Sequence, residues 1–246
     1  MSEVTNCRGC DGASFETILD YGDMPLADRL VDPGRPGPEA RVPLVLVRCT
    51  ACSLVQITHR VSAEELFDPA FPYHSRFSAS LVASFRAHAA ALIEAHSLGS
   101  DDLVVDLGSN DGSLLAPFAE RGVRVLGIDP APGPSEHARS IGIETLGEFF
   151  SETLAHRLAS QGDRARVVLA KNVLAHVADQ RSFLRGVRAL LTDDGVAVFE
   201  FPSVVEMVRR GIIDTVYHEH QCCFSVTALA PMLLDAGLAI THVEMV

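Results

Sequence analysis

Between residues 101 and 200 the chain alternates short apolar runs with amphipathic stretches, and no other feature narrows its fold as much. Residues 103–107, 123–128, 166–170 and 196–201 are mostly apolar, while 114–120 and 182–191 carry helix spacing. Strands buried on both faces read as near-continuous apolar runs, and parallel neighbours need a crossover, usually a helix, between them. The expectation is an α/β domain with a parallel sheet wound on both faces.

The flanking zones read differently. Residues 1–60 are short of helix pattern and rich in turn formers, including Asp32-Pro33-Gly34-Arg35-Pro36-Gly37-Pro38. Their one clear strand-like run, 42–47, leads into Cys49. Residues 61–100 read as helical, with Leu81, Phe85, His88, Ala89, Leu92 and Ile93 at helix spacing and a stop at Leu98-Gly99. Beyond 200 come a loop centred on 217–220, a helix near 227–236 and a last strand over 239–246. The chain contains no internal repeat and no low-complexity tract.

Of the 246 residues 48% are hydrophobic, which is ample for a core and excludes general disorder. The formal charge of −12, with no long basic run, speaks against nucleic acid, whose affinity comes from Lys and Arg neutralising phosphates. The N-terminus lacks the basic residues and apolar run of a signal peptide, and no stretch has the ~18 to 20 uninterrupted apolar residues that span a bilayer. No membrane partner is expected. Six cysteines without a signal suggest a reducing, cytoplasmic setting where thiols bind metal or pack.

Cys7-Arg8-Gly9-Cys10 and Cys49-Thr50-Ala51-Cys52 are two CxxC pairs separated by 38 residues. Each pair presents two thiolates to one ion, and two pairs complete a closed tetrahedral zinc site with no open position, hence a structural one. Buried free thiols, or one redox pair beside unrelated cysteines, are the alternatives. Redox is disfavoured because such motifs sit at strand-to-helix junctions and this zone is turn-rich. Cys222 and Cys223 are adjacent and read as local packing.

The run from Val104 and Asp106 through Gly108, Asn110, Asp111 and Gly112 ends an apolar strand in a glycine turn that opens a helix. Its glycines let a ligand approach backbone at the carboxyl end of a parallel strand. It is neither GxGxxG nor a GxxxxGK[ST] phosphate loop. Asp129 ends the second strand about 20 residues further on, where a carboxylate can bond both hydroxyls of a ribose. Together they point to an adenosyl ligand without a pyrophosphate.

Tyr217-His218-Glu219-His220 lies between Asp214-Thr215 and Phe224-Ser225. On an extended loop alternate side chains point one way, so His218 and His220 would diverge from Glu219. Surface histidines, a metal cluster and acid–base work all fit the residues alone.

With these pieces the chain resembles class I S-adenosylmethionine-dependent methyltransferases. Added to them are Met24-Pro25-Leu26-Ala27-Asp28, Phe71-Pro72-Tyr73-His74-Ser75, Gly147-Glu148-Phe149-Phe150-Ser151, Lys171-Asn172-Val173-Leu174-Ala175-His176-Val177 and Tyr217-His218-Glu219-His220. In that order, over essentially the whole chain, they resemble the zinc-containing sugar C-methyltransferases, which methylate carbon 3 of nucleotide-linked 4-keto-deoxysugars in antibiotic pathways. The resemblance implies a Rossmann-like class I methyltransferase sheet behind a small N-terminal zinc-binding module, with divisions at 1–60, 61–100 (a helical connector contributing to the substrate site) and 101–246. It implies that Asp106, Gly108, Asn110, Asp111, Gly112 and Asp129 hold the cofactor S-adenosylmethionine. Glu148, Phe149 and Asn172 would line its adenine and methionine side. Tyr73, His176, Tyr217, Glu219 and His220 would surround the nucleotide-linked deoxysugar, His220 being the base and Cys7, Cys10, Cys49 and Cys52 the zinc ligands. Family members continue for another domain's length past the match to Val246, so the last strand of a seven-stranded sheet and a C-terminal domain are expected to be missing. The open apolar edge would then favour self-association.

An imidazole with a pKa near ~6.5 is unprotonated at neutral pH and strong enough to assist loss of a proton α to a ketone. Carbon must become nucleophilic in this way before it attacks a sulfonium methyl group. Tyr217 can donate to the developing enolate oxygen, and Glu219 can orient an imidazole or accept from a sugar amine or hydroxyl. Methylation of oxygen or nitrogen on another small metabolite is the alternative activity. A non-catalytic zinc-bearing protein with a truncated methyltransferase fold is the alternative without one.

Overall fold

The computed structural model describes residues 2–34, 37, 39–67 and 72–246. Parts of two expected features, Arg35, Pro36 and Pro38 of the turn-rich run and Phe71 of the segment before Tyr73, lie outside the described residues. Apart from a short ladder pairing Ser2–Glu3 with His59–Arg60, the early strands are β1 (Phe15–Pro25), β2 (Arg41–Cys49) and β3 (Val55–Ile57). A helix, α1 (Ala79–His96), leads into β4 (Leu103–Leu107), β5 (Arg124–Ile128), α2 (Pro132–Ser140), β6 (Thr145–Leu146) and α3 (Glu152–Gln161). After these come β7 (Ala165–Lys171), α4 (Gln180–Leu190), β8 (Leu191–Glu200), α5 (Val204–Arg210), β9 (Cys222–Cys223) and α6 (Val226–Asp235).

The chain divides into two compact units. One is Met1–Leu66 with Leu174–Arg185 and Phe201–Val246; the other is Phe67–Val173 with Gly186–Glu200. They are called the cysteine unit and the sheet unit below.

The sheet unit holds five parallel strands in the order β8-β7-β4-β5-β6. The first strand, β4, is central, and its Leu-Val-Val-Asp-Leu run is buried throughout. Chain order reverses between β4 and β7, and α/β sheets bind ligands at the carboxyl ends of strands that flank such a reversal. Helix α1 starts on the Ser78 hydroxyl, which accepts from the Leu81 amide, and its Phe85 and Ala89, four apart, pack with Leu115, Phe118, Val104 and Val167 in the core. Full burial of an aromatic such as Phe118 stabilises by about 1.5 to 3 kcal/mol.

The cysteine unit holds a four-stranded antiparallel sheet in the order β9-β3-β2-β1. Leu44 and Leu46 of β2 and Val55 and Ile57 of β3 pack with Met207, Val216 and Cys223.

Two expectations are corrected. Residues 1–60 contain the eleven-residue strand β1 besides the predicted run, because its side chains are mostly exposed and leave no apolar alternation to read. Residues 239–246 are exposed and carry no ladder among the described residues, so the expected strand is absent. A strand exists only where neighbouring backbone supplies its partners, and no described strand pairs with this segment. Among the described residues no helix is long and apolar enough to cross a membrane.

Candidate functional site

Within the cysteine unit the four predicted ligands converge. Cys7 and Cys52 bring their sulfurs to 3.4 Å, Cys10 and Cys49 to 3.6 Å, and all four lie within 4.8 Å of one another. A tetrahedral zinc with Zn–S bonds of about 2.3 Å sets its sulfurs about 3.8 Å apart, so the residues fit the ion. The two knuckles share one local construction. The Cys7 carbonyl accepts from the Asp11 amide at 2.9 Å and the Cys49 carbonyl from Ser53 at 3.0 Å. Asp11 and Ser53 both adopt left-handed backbone, φ 59° and 64°. The Gly9 amide also donates to the Cys7 sulfur at 3.3 Å. Burial works to raise the Cys49 thiol, but the Cys52 and Ala51 amides together with the Cys10 and Cys7 thiols bring it down to about 7. Cys222 stands apart from this group. It is buried, accepts from Gln180 Nε2 at 3.7 Å, and burial pushes its thiol up to about 12, as local packing requires.

Within the sheet unit the carboxyl ends of four neighbouring strands carry the predicted cofactor residues. Gly108 follows β4 at φ +67°, and a Cβ there would meet Val173 Cγ2 at 2.5 Å. Only glycine satisfies both conditions. Asp129, past the end of β5, is buried, its two oxygens accepting from the Asn110 and Ala131 amides at 2.8 Å each. Burial raises its pKa, those two amides pull it back, and Asp111 pushes it up again. Burial, with Asp129 nearby, pushes Asp106 well above the usual carboxylate range against the pull of Lys171. Glu148 is exposed and paired with Arg157 at 2.6 Å, Phe149 is 40% exposed, and Asn172 ends β7 in left-handed backbone, φ 53°.

Asn110 and Asp111 turn their side chains to another task. Asn110 Oδ1 accepts from the Ser75 amide at 2.9 Å and its Nδ2 donates to the Tyr73 carbonyl at 3.2 Å. Asp111 accepts from the Arg76 amide at 2.9 Å and from the Ser113 hydroxyl at 2.6 Å. The loop after β4 thus holds residues 73–76 by their backbone, with the Tyr73 side chain half exposed. The cationic groups in this part of the unit are themselves paired, Arg76 with Asp111 at 3.7 Å and Lys171 with Glu200 at 2.6 Å. An edge dominated by carboxylates suits a sulfonium and an α-ammonium group and repels a pyrophosphate. The residues therefore fit S-adenosylmethionine.

The histidine segment, in the cysteine unit, is a turn. The His220 amide donates to the Tyr217 carbonyl at 3.0 Å, which sets residues i and i+3 together in place of the alternation expected of an extended loop. His220 Nδ1 lies 2.7 Å from the Thr215 carbonyl, which can only accept, so Nδ1 carries the proton. In a neutral ring Nε2 is then the lone pair, and the Tyr217 hydroxyl donates to it at 3.0 Å. Burial lowers the pKa of His220, with Thr215 and Asp28 opposing, and burial lifts Tyr217 to about 12. The pair is a neutral imidazole facing a neutral phenol.

His176 Nδ1 donates to the Glu219 carbonyl at 2.9 Å, and its ring centroid lies 4.8 Å from that of His220. Glu219 is buried; its Oε2 has no partner among the described residues, and burial raises its pKa. His218 goes elsewhere, donating from Nε2 to the Val42 carbonyl of β2 at 3.1 Å in full burial. The metal alternative for this segment is not supported, since the grouping of metal-ligand geometry among the described residues is the four cysteines. One contributor was not singled out from the sequence: Thr215 acts through its carbonyl, which any residue type supplies.

A family model described as "Putative zinc binding domain" matches residues 7–67, and one described as "Methyltransferase domain" matches 75–243. The chain is similar to the C-methyltransferase NovU of Streptomyces niveus, 33% identical over 98% of this chain and 57% of that protein. It therefore spans 57% of the length of that curated relative. The ubiquinone biosynthesis O-methyltransferase of Azorhizobium caulinodans is 34% identical over 39% of this chain and 38% of its own length. Among solved structures, the magnesium protoporphyrin IX methyltransferase of Synechocystis PCC 6803 with bound SAH is 18% identical, with a TM-score of 0.49 over 65% of this chain and 74% of that one.

Proposed function

The chain belongs to the family of that methyltransferase domain, and we propose that it methylates the carbon α to the ketone of a nucleotide-linked keto-deoxysugar, using S-adenosylmethionine and a structural zinc. The observation that carries this reading is the Thr215–His220–Tyr217 relay, which leaves a buried, neutral imidazole with its lone pair on Nε2. Methyl transfer to oxygen or nitrogen needs no carbon acid to be broken; transfer to carbon does, and a base of fixed tautomer serves that step. The similarity to a protein named C-methyltransferase points the same way.

S-adenosylmethionine supplies an electrophilic methyl group on a sulfonium. Gly108 would let the loop after β4 turn closely against Val173, Asp129 would accept from the ribose hydroxyls, and Glu148, Phe149 and Asn172 would border its adenine and methionine ends. Asn110 and Asp111 serve indirectly, by fixing residues 73–76. Zinc, held by Cys7, Cys10, Cys49 and Cys52, supplies folding energy.

His220 Nε2 removes the proton from the sugar carbon. The Tyr217 hydroxyl, which occupies Nε2 at rest, is displaced by the substrate C–H and donates instead to the developing enolate oxygen. Glu219 Oε2, buried without a partner among the described residues, accepts from a hydroxyl or amine on the sugar. His176 packs against the His220 ring and steadies the Glu219 backbone.

The test is mass spectrometry of nucleotide 4-ketosugars incubated with the protein in deuterium oxide, with and without S-adenosylmethionine. Deuterium entering at carbon 3, and a methyl group added there, are expected. Methylation without any exchange at that carbon would move the acceptor to a heteroatom and end the carbon reading.

A further inference from the structure

The first cysteine knuckle is tied by two arginines to both histidine-bearing segments of the cysteine unit. Arg8, between Cys7 and Cys10, donates from Nη1 to the Ile57 carbonyl at 2.8 Å and makes a longer 3.5 Å contact to the Gln221 carbonyl. The Ile57 amide itself donates to that same Gln221 carbonyl at 3.1 Å, so one guanidinium grips both ends of the pairing that holds Gln221. Gln221 follows His220 directly, its amide donating to the Ala175 carbonyl at 2.8 Å and its side chain to the His176 carbonyl at 3.2 Å. The Arg8 backbone is pinned as well, its amide donating to Oε1 of the buried Gln56 at 2.9 Å.

The second tie runs the other way. Arg181, five residues past His176, donates from Nε to the Gly9 carbonyl at 3.1 Å and pairs with Asp11 at 2.5 Å. Gly9 and Asp11 are the turn residues of the same knuckle. Two segments far apart in sequence, 174–181 and 217–221, are thus referenced to one feature, the turn at residues 7–11 that carries two of the four cysteines. Arg8 also feels the Cys7 sulfur electrostatically, and four thiolates with zinc carry a net charge of −2, so metal loading favours keeping a cation beside the knuckle.

We infer that Arg8 and Arg181 are positioning residues that make zinc occupancy set the orientation of His220. The inference deepens the proposed function, because it assigns the zinc module a role toward the base beyond folding. Loss of the ion frees the knuckle, the Arg8 grip on Ile57 and Gln221 slackens, and His220 loses its registry with the Thr215 carbonyl.

The experiment follows the His220 Nδ1–H directly, by imidazole nitrogen–proton spectra of histidine-labelled protein, in the wild type, Arg8→Met and Arg181→Met. Zinc content and cofactor affinity are measured on the same samples. The expected result is one zinc per chain and unchanged cofactor affinity in both variants, with Nδ1–H exchange about 10-fold faster. In turnover kcat falls by about 10- to 100-fold at constant KM, the loss that misplacement of about 1 Å brings. Arg8→Met that keeps its zinc and leaves both exchange and kcat unchanged overturns the inference. If Arg8→Met loses its metal, two other measurements decide. Arg8→Lys keeps a cation and one donor and should show a smaller effect of the same sign. Chelation of the wild type should accelerate exchange, and a protected Nδ1–H in the metal-free wild type also overturns the claim. Should exchange respond as expected while the wild type methylates no ketosugar, the coupling stands and the proposed substrate falls.

Discussion

Whether His220 can act as a base is decided by an atom of another residue, the Thr215 carbonyl oxygen, which obliges Nδ1 to keep its proton. On the proposed reading His220→Asn keeps cofactor affinity, since the predicted cofactor residues belong to the sheet unit and His220 to the cysteine unit, and loses about 10²- to 10⁴-fold in kcat/KM, the range of general-base assistance. Tyr217→Phe is expected to lose less, because the base remains. The pH profile carries a sign that can be checked. Burial depresses the folded pKa of His220 below its ordinary value, so kcat/KM should rise with pH through a midpoint below about 6.5 and then level off. The same depression makes the unfolded chain bind more protons over that window. Wild type should therefore lose stability relative to His220→Asn as pH falls from about 6.5 through the folded value. A midpoint above 6.5 would contradict the burial argument. At this scale the sequence was readable where a side chain does the work. The four cysteines are visible as residue types at telling spacing, whereas the role proposed for His220 rests on the resemblance. That His218 binds Val42, and that Asn110 and Asp111 hold residues 73–76, depends on which way a turn closes, and spacing does not record it.

At the scale of elements, the knuckles and the loop after β4 answer to different physics. Each knuckle ends in a left-handed turn residue, and their four sulfurs converge on one point, so an ion bound there supplies folding energy to both. Cys49→Ser should release zinc and lower the melting temperature by about 10 °C, equivalent to about 3 to 5 kcal/mol at roughly 2 to 4 °C per kcal/mol for a chain of this length. Metal analysis together with calorimetry checks it, and an unchanged melting point would remove the structural role. The β4 loop is held by shape. A Cβ on Gly108 would stand 2.5 Å from Val173 Cγ2 at a φ of +67°, so even Gly108→Ala should cost about 1 to 3 kcal/mol in denaturant unfolding besides weakening the cofactor. Gly108→Ala with Val173→Ala relieves the clash but not the backbone strain, and should recover part of that stability. Elements were legible in proportion to their burial. The predicted runs 103–107, 123–128 and 166–170 lie within a residue or so of β4, β5 and β7, because a doubly covered strand is apolar at nearly every position. Strand β1, Phe-Glu-Thr-Ile-Leu-Asp-Tyr-Gly-Asp-Met-Pro, is exposed at most positions, and α2 opens on Pro-Gly-Pro. Neither shows the period of the element it forms.

Across the whole molecule the two chemical demands fall in separate compact units. Every thiolate ligand and the Tyr217–His220 pair lie in the cysteine unit, and Gly108, Asp129, Glu148 and Asn172 all lie in the sheet unit. Each unit encloses a hydrophobic cluster of its own, so each has the means to melt as a body. Metal and cofactor should therefore act on different parts of the unfolding curve. Zinc binding supplies folding energy only to what it closes, and a ligand stabilises the state that binds it by RT ln(1 + [L]/Kd). Treatment with a chelator should lower one calorimetric transition, while S-adenosylmethionine at about 100 times its Kd should still raise the other by the equivalent of about 2.7 kcal/mol. On the proposed coupling, the chelated protein should keep cofactor affinity within a few-fold and lose turnover, because the ion would order the segment that carries the proposed base. Titration calorimetry on metal-free protein reads the first quantity and a methylation assay the second. A single transition that shifts as one under both treatments, with cofactor affinity lost on chelation, would mean that the two units fold and bind as one cooperative body.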